Sequence, residues 1–378
     1  MTSLSFWEQQ SFIEYDFIIV GAGLVGLSTA ISLAEKHSGA NILVLERGIF
    51  PTGASTKNAG FACFGSLSEL YQDLEQLGSE AMLSLVEERW LGLQKLRQRL
   101  GDQEIGYKNN GGYELIRENE LPQMEHLDTI NGLLEPLFDQ EIFSEVPELI
   151  KKFGFDHKSV RSIVYNPLEG QIDTGLMMQK LLHIAQILGV KVLTGAEVRG
   201  FHEDSQQVWL EVVGGSSKEA IGLRTAKLGI CTNAFTNSLV PELDLKPGRG
   251  LVLVTKPLTK LKFKGVFHYD SGYFYFRDFG GRVIFGGGRN LDFDRETTKD
   301  FGINPILLNH LVNDLKALIL PGQPFEIEHT WSGIMAFGQS KQPILKKYSE
   351  RVALGVRLGG MGIAMGSRLG ERLAKMMC

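Results

Sequence analysis

The sequence predicts an α/β protein that opens with a Rossmann-like βαβ unit and carries a second, mixed sheet further along the chain. Three observations predict it. An apolar run, YDFIIV at 15–20, stops on glycines; Leu24, Leu27, Ile31 and Ala34 then recur at helical spacing; and NILVLE at 41–46 forms a second apolar run closed by an acid. Short apolar runs of this kind mark strands buried on both faces of a parallel sheet, and the 3.6-residue spacing marks the crossover helix between them.

Further elements follow in order. Residues 68–100 read as one helix, with Leu83, Val86, Trp90, Leu93 and Leu96 on its packing face. GYELIR at 112–117 alternates like a strand, and a helical stretch covers 120–138. Asp173 or Thr174 caps an amphipathic helix to about residue 188, and KVLTGAEV, QQVWLEVV and KLGICTNA read as the strands that complete a nucleotide-binding domain. Strands at 251–256, 273–277 and 282–286, separated by Pro and Gly, imply an antiparallel sheet suited to a substrate domain. RVALGV, a glycine cluster and a helix over 365–377 close the chain.

Bulk properties narrow the function. A chain of 378 residues fits two domains. Its net charge of -5 argues against nucleic acid and favours a small-molecule substrate. Cys63, Cys231 and Cys378 form no CxxC and no even framework, so no disulfide or metal site is expected and the cytoplasm is the expected compartment. The first fourteen residues hold Glu8 and Glu14 and lack a basic start before an apolar run, so no ordinary signal peptide is expected. No run reaches the roughly 20 apolar residues of a transmembrane helix. Peripheral membrane contact and a homo-oligomer are left open.

The chemistry enters at GAGLVG. Gly21 permits the tight turn, Gly23 lets backbone approach a pyrophosphate, and Gly26 lets the helix pack close to the sheet. The free N–H groups of the first helical turn, including Leu24 and Val25, together with the helix dipole, favour the phosphate charge there. Glu46 ends the second strand, where a carboxylate accepts hydrogen bonds from ribose hydroxyls and repels a 2′-phosphate. This unit indicates a dinucleotide without separating FAD from NAD.

The segment after Glu46, ERGIFPTGASTKNAG, resembles the stretch that leads from adenosine to flavin in the D-amino-acid oxidase and glycine oxidase superfamily of FAD enzymes. Gly112-Tyr113-Glu114-Leu115, the helix at Asp173, KLGICTNAF, PGRG at 247–250, Trp331-Ser332-Gly333 and the C-terminal glycine cluster follow in that family's order. The resemblance implies a p-hydroxybenzoate-hydroxylase-like architecture. A discontinuous FAD-binding domain (15–85, 166–240 and 331–378) would combine with a mixed-sheet substrate domain (86–165 and 241–330), the flavin lying between them. It implies noncovalent FAD, because 334–346 holds no Cys. Ala54, Ser55, Asn58, Ala59, Gly60 and Phe61 would follow the ribityl chain and flavin edge, and the backbone of Val198 would meet the adenine. Arg47, Thr232, Asn233 and Gly333 join the cofactor set. Gly359, Gly360, Met361, Gly362 and Ile363 form the turn into the last helix, whose dipole would favour negative charge on the reduced ring.

In this family a C–H bond next to an amine, or sometimes a hydroxyl, gives hydride to flavin N5. Tyr273 matches a substrate-facing position, with Tyr275 on the same strand face and His268 nearby. Met335 stands where relatives acting on α-amino acids often carry a carboxylate-binding Arg, so an amine, or a larger substrate anchored elsewhere, is favoured over a simple amino acid. Arg249, Arg277, Arg289 and Arg357 are the alternative anchors. The electron acceptor is oxygen or a quinone or carrier. A 2-hydroxy-acid or polyol dehydrogenase on the same scaffold is the second reading, a flavin-binding protein without turnover the third, and a nicotinamide dehydrogenase the fourth.

Overall fold

A computed structural model describes residues 4–214 and 219–378. The helices that matter to the site are α1 (Leu24–Lys36), α2 (Ala54–Lys57), α3 (Leu67–Leu77), α4 (Ser79–Leu100), α5 (Thr174–Ile187) and α6 (Gly362–Met377). The strands are β1 (Glu14–Val20), β2 (Ile42–Glu46), β3 (Lys191–Thr194), β4 (Ala220–Ile230), β5 (Lys246–Thr255), β6 (Val266–Tyr269), β7 (Phe274–Phe279), β8 (Arg282–Gly287), β9 (Ile327–Phe337) and β10 (Val352–Val356). Shorter elements are given by range.

The α/β fold expected from the sequence is present. β10, β4, β1, β2 and β3 lie side by side, all parallel, with Ile344–Lys347 antiparallel at one edge. Successive residues of β1 point to opposite faces: Ile19 packs with Leu27, Leu93 and Leu369 under the helices, while Ile18 and Val20 join Leu228, Ile230 and Leu354 on the other side. Both faces of the sheet centre are covered, which is why β2 up to Glu46, β10 and the carboxyl-terminal ends of β1 and β4 are continuously apolar rather than alternating. The hairpin Ala196–Glu203 and Val208–Gly214 extends from β4.

The second sheet runs β9-β5-β8-β7-β6 and then Gly112–Ile116, Ser162–Asn166 and Ser144–Glu145. It is mixed, because β6 pairs in parallel with Gly112–Ile116 while its other pairings are antiparallel. One face buries an aromatic core of Phe267, Tyr269, Phe274, Phe276 and Phe285. The opposite face carries Val252, Ile284, Tyr275 and Trp331 against Ala59 and Phe61, in the chain just beyond α2.

Glycine contacts bring α6 against α1. A Cβ on Gly366 would stand 2.6 Å from Leu24 Cδ2, and one on Gly370 would stand 2.6 Å from Ser28 Cβ and 2.7 Å from the Val25 carbonyl oxygen. Because 366 meets 24 and 370 meets 28, the two helices run parallel and start at the same end. Gly92 of α4 approaches the Ala364 carbonyl just as closely and closes the other side of α6.

Several element limits differ from the sequence expectation. The helix expected over 68–100 is two helices, because Gly78 adopts φ +82 and ends α3. KVLTGAEV is likewise two strands, separated at Gly195 with φ +67. The stretch 120–138 divides into a 3-10 segment, Glu118–His126, that contains Pro122, and an α-helix, Leu127–Phe138. β7 begins at Phe274, so Tyr273 lies in the preceding turn, where its N–H donates to the Asp270 carbonyl. The last helix starts at Gly362, so Gly362 and Ile363 form its first turn. The division points at 85/86 and 330/331 fall inside α4 and β9. Among the described residues no helix is long and apolar enough to cross a membrane.

Gly370→Ala separates helix propensity from packing. Alanine favours a helix interior over glycine by about 1 kcal/mol, but at Gly370 its methyl meets backbone atoms of α1, and overpacking costs about 1–3 kcal/mol. The expected outcome is a lower Tm for Gly370→Ala and a higher one for Gly132→Ala, whose Cβ enters open space. Thermal unfolding of the two variants checks this.

Candidate active site

The site begins where β1 enters α1. Gly21 has φ +106, and a Cβ there would fall 2.7 Å from the Cys231 carbonyl oxygen; a Cβ on Gly26 would fall 1.8 Å from that of Gly21. Gly23 is the N-cap and supplies no side-chain cap. The Leu24 N–H donates to Ser55 Oγ at 2.9 Å, which draws the α2 segment over the helix mouth. At the tip of β2, Glu46 accepts from the Ala22 N–H at 3.1 Å and the Gly48 N–H at 2.9 Å. These two bonds fix its carboxylate beside the glycine turn. The Gly195 N–H donates to the Gly48 carbonyl and leads the strand bearing Val198 past this corner. Arg47 stacks its guanidinium 3.7 Å from the Phe235 ring centroid.

The second helix mouth is that of α6. Its N-cap, Met361, also lacks a side-chain cap, and it follows Gly359 and Gly360 at φ +56 and +90. The Gly359 N–H donates to the Ala336 carbonyl and ties this turn to β9. Nearby, Asn233 and Arg357 both hold left-handed backbone, at φ +45 and +64, and the Arg357 N–H donates to Asn233 Oδ1 at 3.2 Å. They sit just beyond the ends of β4 and β10, in the crevice outside the carboxyl ends of the strands where open α/β sheets bind ligands. Both uncapped mouths, their glycine turns and the acid on β2 suit a dinucleotide phosphate chain.

Between the mouths runs the segment 54–61. Asn58 Nδ2 donates to the Ala54 and Ser55 carbonyls, and Asn58 Oδ1 accepts from the Gly60 N–H at 2.8 Å, so this side chain shapes the segment. Trp331 Nε1 donates to the Lys57 carbonyl at 3.0 Å, and a Cβ on Gly333 would stand 3.0 Å from Lys57 Cβ. β9 therefore presses directly on α2. The Phe61 ring contacts Tyr275 at 5.5 Å and His268 at 5.1 Å between centroids.

Met335 lies between the two sheets. Its Sδ is 3.8 Å from a Cβ placed on Gly360 and its Cε 2.9 Å from one placed on Gly250, which Tyr275 Oη approaches at 3.8 Å. Tyr275 and Met335 are thus brought together at the α6 turn. Tyr273 is not part of that pair: it is 38% exposed and packs edge-on against Phe293 at the rim.

A buried cluster behind Phe61 had no sequence signature as a group. Glu169 accepts from the Phe64 and Gly65 N–H groups, and its other oxygen is 3.8 Å from His268 Nε2. Burial opposes the charge on His268, but Cys63 and Glu169 outweigh it and hold the imidazole's pKa well above its usual value. Burial, reinforced by Glu169, pushes the Cys63 thiol up to about 11, so it is not a reactive thiolate. Burial raises Glu114 to about 7 against the lowering effect of its bonds from the Ser68 O–H and N–H. Residues 63, 114, 169 and 268 share no period or motif, and only the folded chain assembles them.

Two parallel helix mouths on a Rossmann sheet, faced by a second sheet across the 54–61 segment, define a dinucleotide-dependent oxidoreductase. The chain belongs to the DAO family of FAD-dependent oxidoreductases, whose family model matches residues 16–376. It is 25% identical over 254 residues to a putative bifunctional amine oxidase of Dictyostelium discoideum, an alignment covering 61% of this chain and 22% of that protein. It is also 25% identical over 242 residues to L-2-hydroxyglutarate dehydrogenase of Escherichia coli K12, covering 62% of this chain and 51% of that one. The chain thus spans about a fifth and about half of the lengths of these relatives. The structure of glycine oxidase from Geobacillus kaustophilus superposes with a TM-score of 0.78 at 19% identity, covering 97% of this chain and 95% of that one, and so shares its fold.

Gly23→Asp places a carboxylate against the expected pyrophosphate position and is expected to abolish FAD retention. Flavin content per polypeptide, with circular dichroism to confirm folding, checks this; unchanged content would contradict the placement.

Proposed function

We propose that this chain binds FAD noncovalently and oxidises the C–H bond next to an amine nitrogen of a small molecule. Bound FAD supplies the hydride acceptor at N5. The residues named in the sequence analysis along 21–26, 46–47, 54–61, 232–233 and 359–363, with Val198 and Gly333, form the cofactor contacts in this reading. The first sheet with its helices serves as the FAD domain and the second sheet as the substrate domain. A cytoplasmic location, and oxygen, a quinone or a carrier as electron acceptor, belong to the same proposal. Support for noncovalent attachment is that Cys63 and Cys231 are buried, with thiols pushed up to about 11 and 12 by desolvation, and that 334–346 lacks Cys.

The observation that carries the amine reading is the chemistry of the face opposite Phe61. Burial pushes the Tyr275 phenol up to about 12, so it stays protonated and has an O–H, rather than a base, to offer a substrate. Met335 and Gly250 offer no proton acceptor, and His268 Nε2 is turned toward Glu169 at 3.8 Å, with its pKa raised above the usual value. Hydride loss from a neutral amine needs no protein base, whereas an alcohol must lose a proton as well. The chain's work is therefore to orient the substrate against the flavin segment and keep water out.

Anaerobic bleaching of the bound flavin by pools of amines, amino acids and 2-hydroxy acids tests this. Amines or amino acids are expected to bleach it. Bleaching by 2-hydroxy acids alone would favour the second reading, which the L-2-hydroxyglutarate dehydrogenase relative keeps in view. Met335→Arg is expected to raise kcat/KM for α-amino acids relative to the matching amines by about tenfold, because a guanidinium fork binds carboxylate where a thioether cannot. Unchanged relative rates would remove Met335 from the substrate site.

A further inference from the structure

Three of the four arginines considered as substrate anchors are already engaged or enclosed. Arg249 makes a two-point ion pair with Glu296 at 2.8 and 2.9 Å. Arg357 is held by Asp244 at 2.6 Å and by the Gln342 carbonyl. Arg277 is buried with its guanidinium against Gly60, behind the 54–61 segment.

Arg289 differs from these. It is half-buried in the 3-10 turn Arg289–Leu291 that follows β8, and its guanidinium lies 4.0 Å from the Phe337 ring centroid and 4.7 Å from that of Phe293. No carboxylate among the described residues forms an ion pair with it. Glu296, whose charge reaches it, is already bound by Arg249 and by Asn304 Nδ2 at 2.9 Å. Burial lowers its pKa, with Tyr273 and Glu296 opposing. Stacking on aromatic faces fixes the plane of a guanidinium and leaves its edge N–H donors free for an anion.

Its location relates it to Met335. Arg289 Nη1 is 3.4 Å from a Cβ placed on Gly248, the cross-strand partner of Met335. The tip of Met335 points toward Gly250, two residues further along β5, a separation of roughly 7 Å along an antiparallel strand. An acid held by Arg289 thus stands several bonds from a carbon placed beside Met335 and Tyr275.

We propose that Arg289 binds a carboxylate of the substrate, and that the substrate is an amine whose acid group is remote from the oxidised carbon rather than attached to it. This rests on the amine reading above and narrows it. Arg289 replaces, from the 3-10 turn beyond β8 and at a longer reach, the charge that Met335 lacks, and Phe293, Phe337 and Tyr273 line the approach to it.

The test uses the FAD-loaded protein and two nonreactive probes of equal shape, phenylacetate and phenylacetamide, followed by perturbation of the flavin spectrum. Wild type is expected to bind the acid at least about tenfold more tightly than the amide. Arg289→Met, which keeps an apolar side chain between the rings, is expected to lose that preference, and Arg289→Lys, which keeps the charge without the fork, to retain part of it. Across ω-amino acids and alkylamines of matched length, longer acids are expected to show a KM advantage that disappears in Arg289→Met. Equal binding of phenylacetate by wild type and Arg289→Met, at unchanged FAD content, overturns the proposal, as does a KM advantage confined to α-amino acids. Arg289-dependent acid binding in a protein whose flavin no amine bleaches would retain the anchor and reject the amine reading.

Discussion

The contact on which the site depends is the one between α1 and α6 at Gly366 and Gly370. Two parallel helices, with α6 glycines set directly on Leu24, Val25 and Ser28 of α1, bring two N-termini without side-chain caps to the same end of the sheet. Each mouth presents the positive end of a helix dipole, although the Leu24 N–H, expected free from the sequence, is taken by Ser55 Oγ. One faces the glycine turn after β1 and the other the glycine turn after β10. A long dianionic cofactor can therefore meet positive potential near its phosphates and again near its redox ring, although the two helices are more than 300 residues apart in the chain.

In the proposed function the second sheet converts that surface into a reaction site. β9 is joined to α2 through the Trp331 hydrogen bond and the Gly333 contact, and to the α6 turn through the Ala336 carbonyl. Any shift of this sheet against the first would break bonds at both mouths. Phe61, Tyr275 and Met335 are consequently held at fixed separation from the 54–61 segment and the α6 turn, and in the proposed function this is the preorganisation that hydride transfer requires. The buried Glu169 supports the chain beyond Phe61 from behind: one of its oxygens holds the Phe64 and Gly65 amides and the other faces His268 Nε2 at 3.8 Å.

The parts of this architecture that were legible in the sequence are those written in contiguous residues. The strand, glycine turn, helix, strand and acid of residues 15–46 each carry their own periodicity and agree with one another, and they fold as read. The break at Gly78 was not legible because apolar spacing continues on both sides of it and only its positive φ stops the helix. Tyr273 reads as part of a strand because Tyr and Phe alternate there, yet the turn begun at Asp270 takes it out of the ladder. The Cys63, Glu114, Glu169 and His268 cluster is a product of topology, and so is the free state of Arg289, which follows from Arg249 having captured Glu296. Pairing between residues distant in sequence leaves no trace in either segment alone.

FAD stoichiometry in the purified protein tests the central claim most directly. The account predicts a yellow protein carrying about one FAD per chain, all of it released into solution when the polypeptide is denatured. A protein that is colourless, and still empty after incubation with excess FAD, would contradict it.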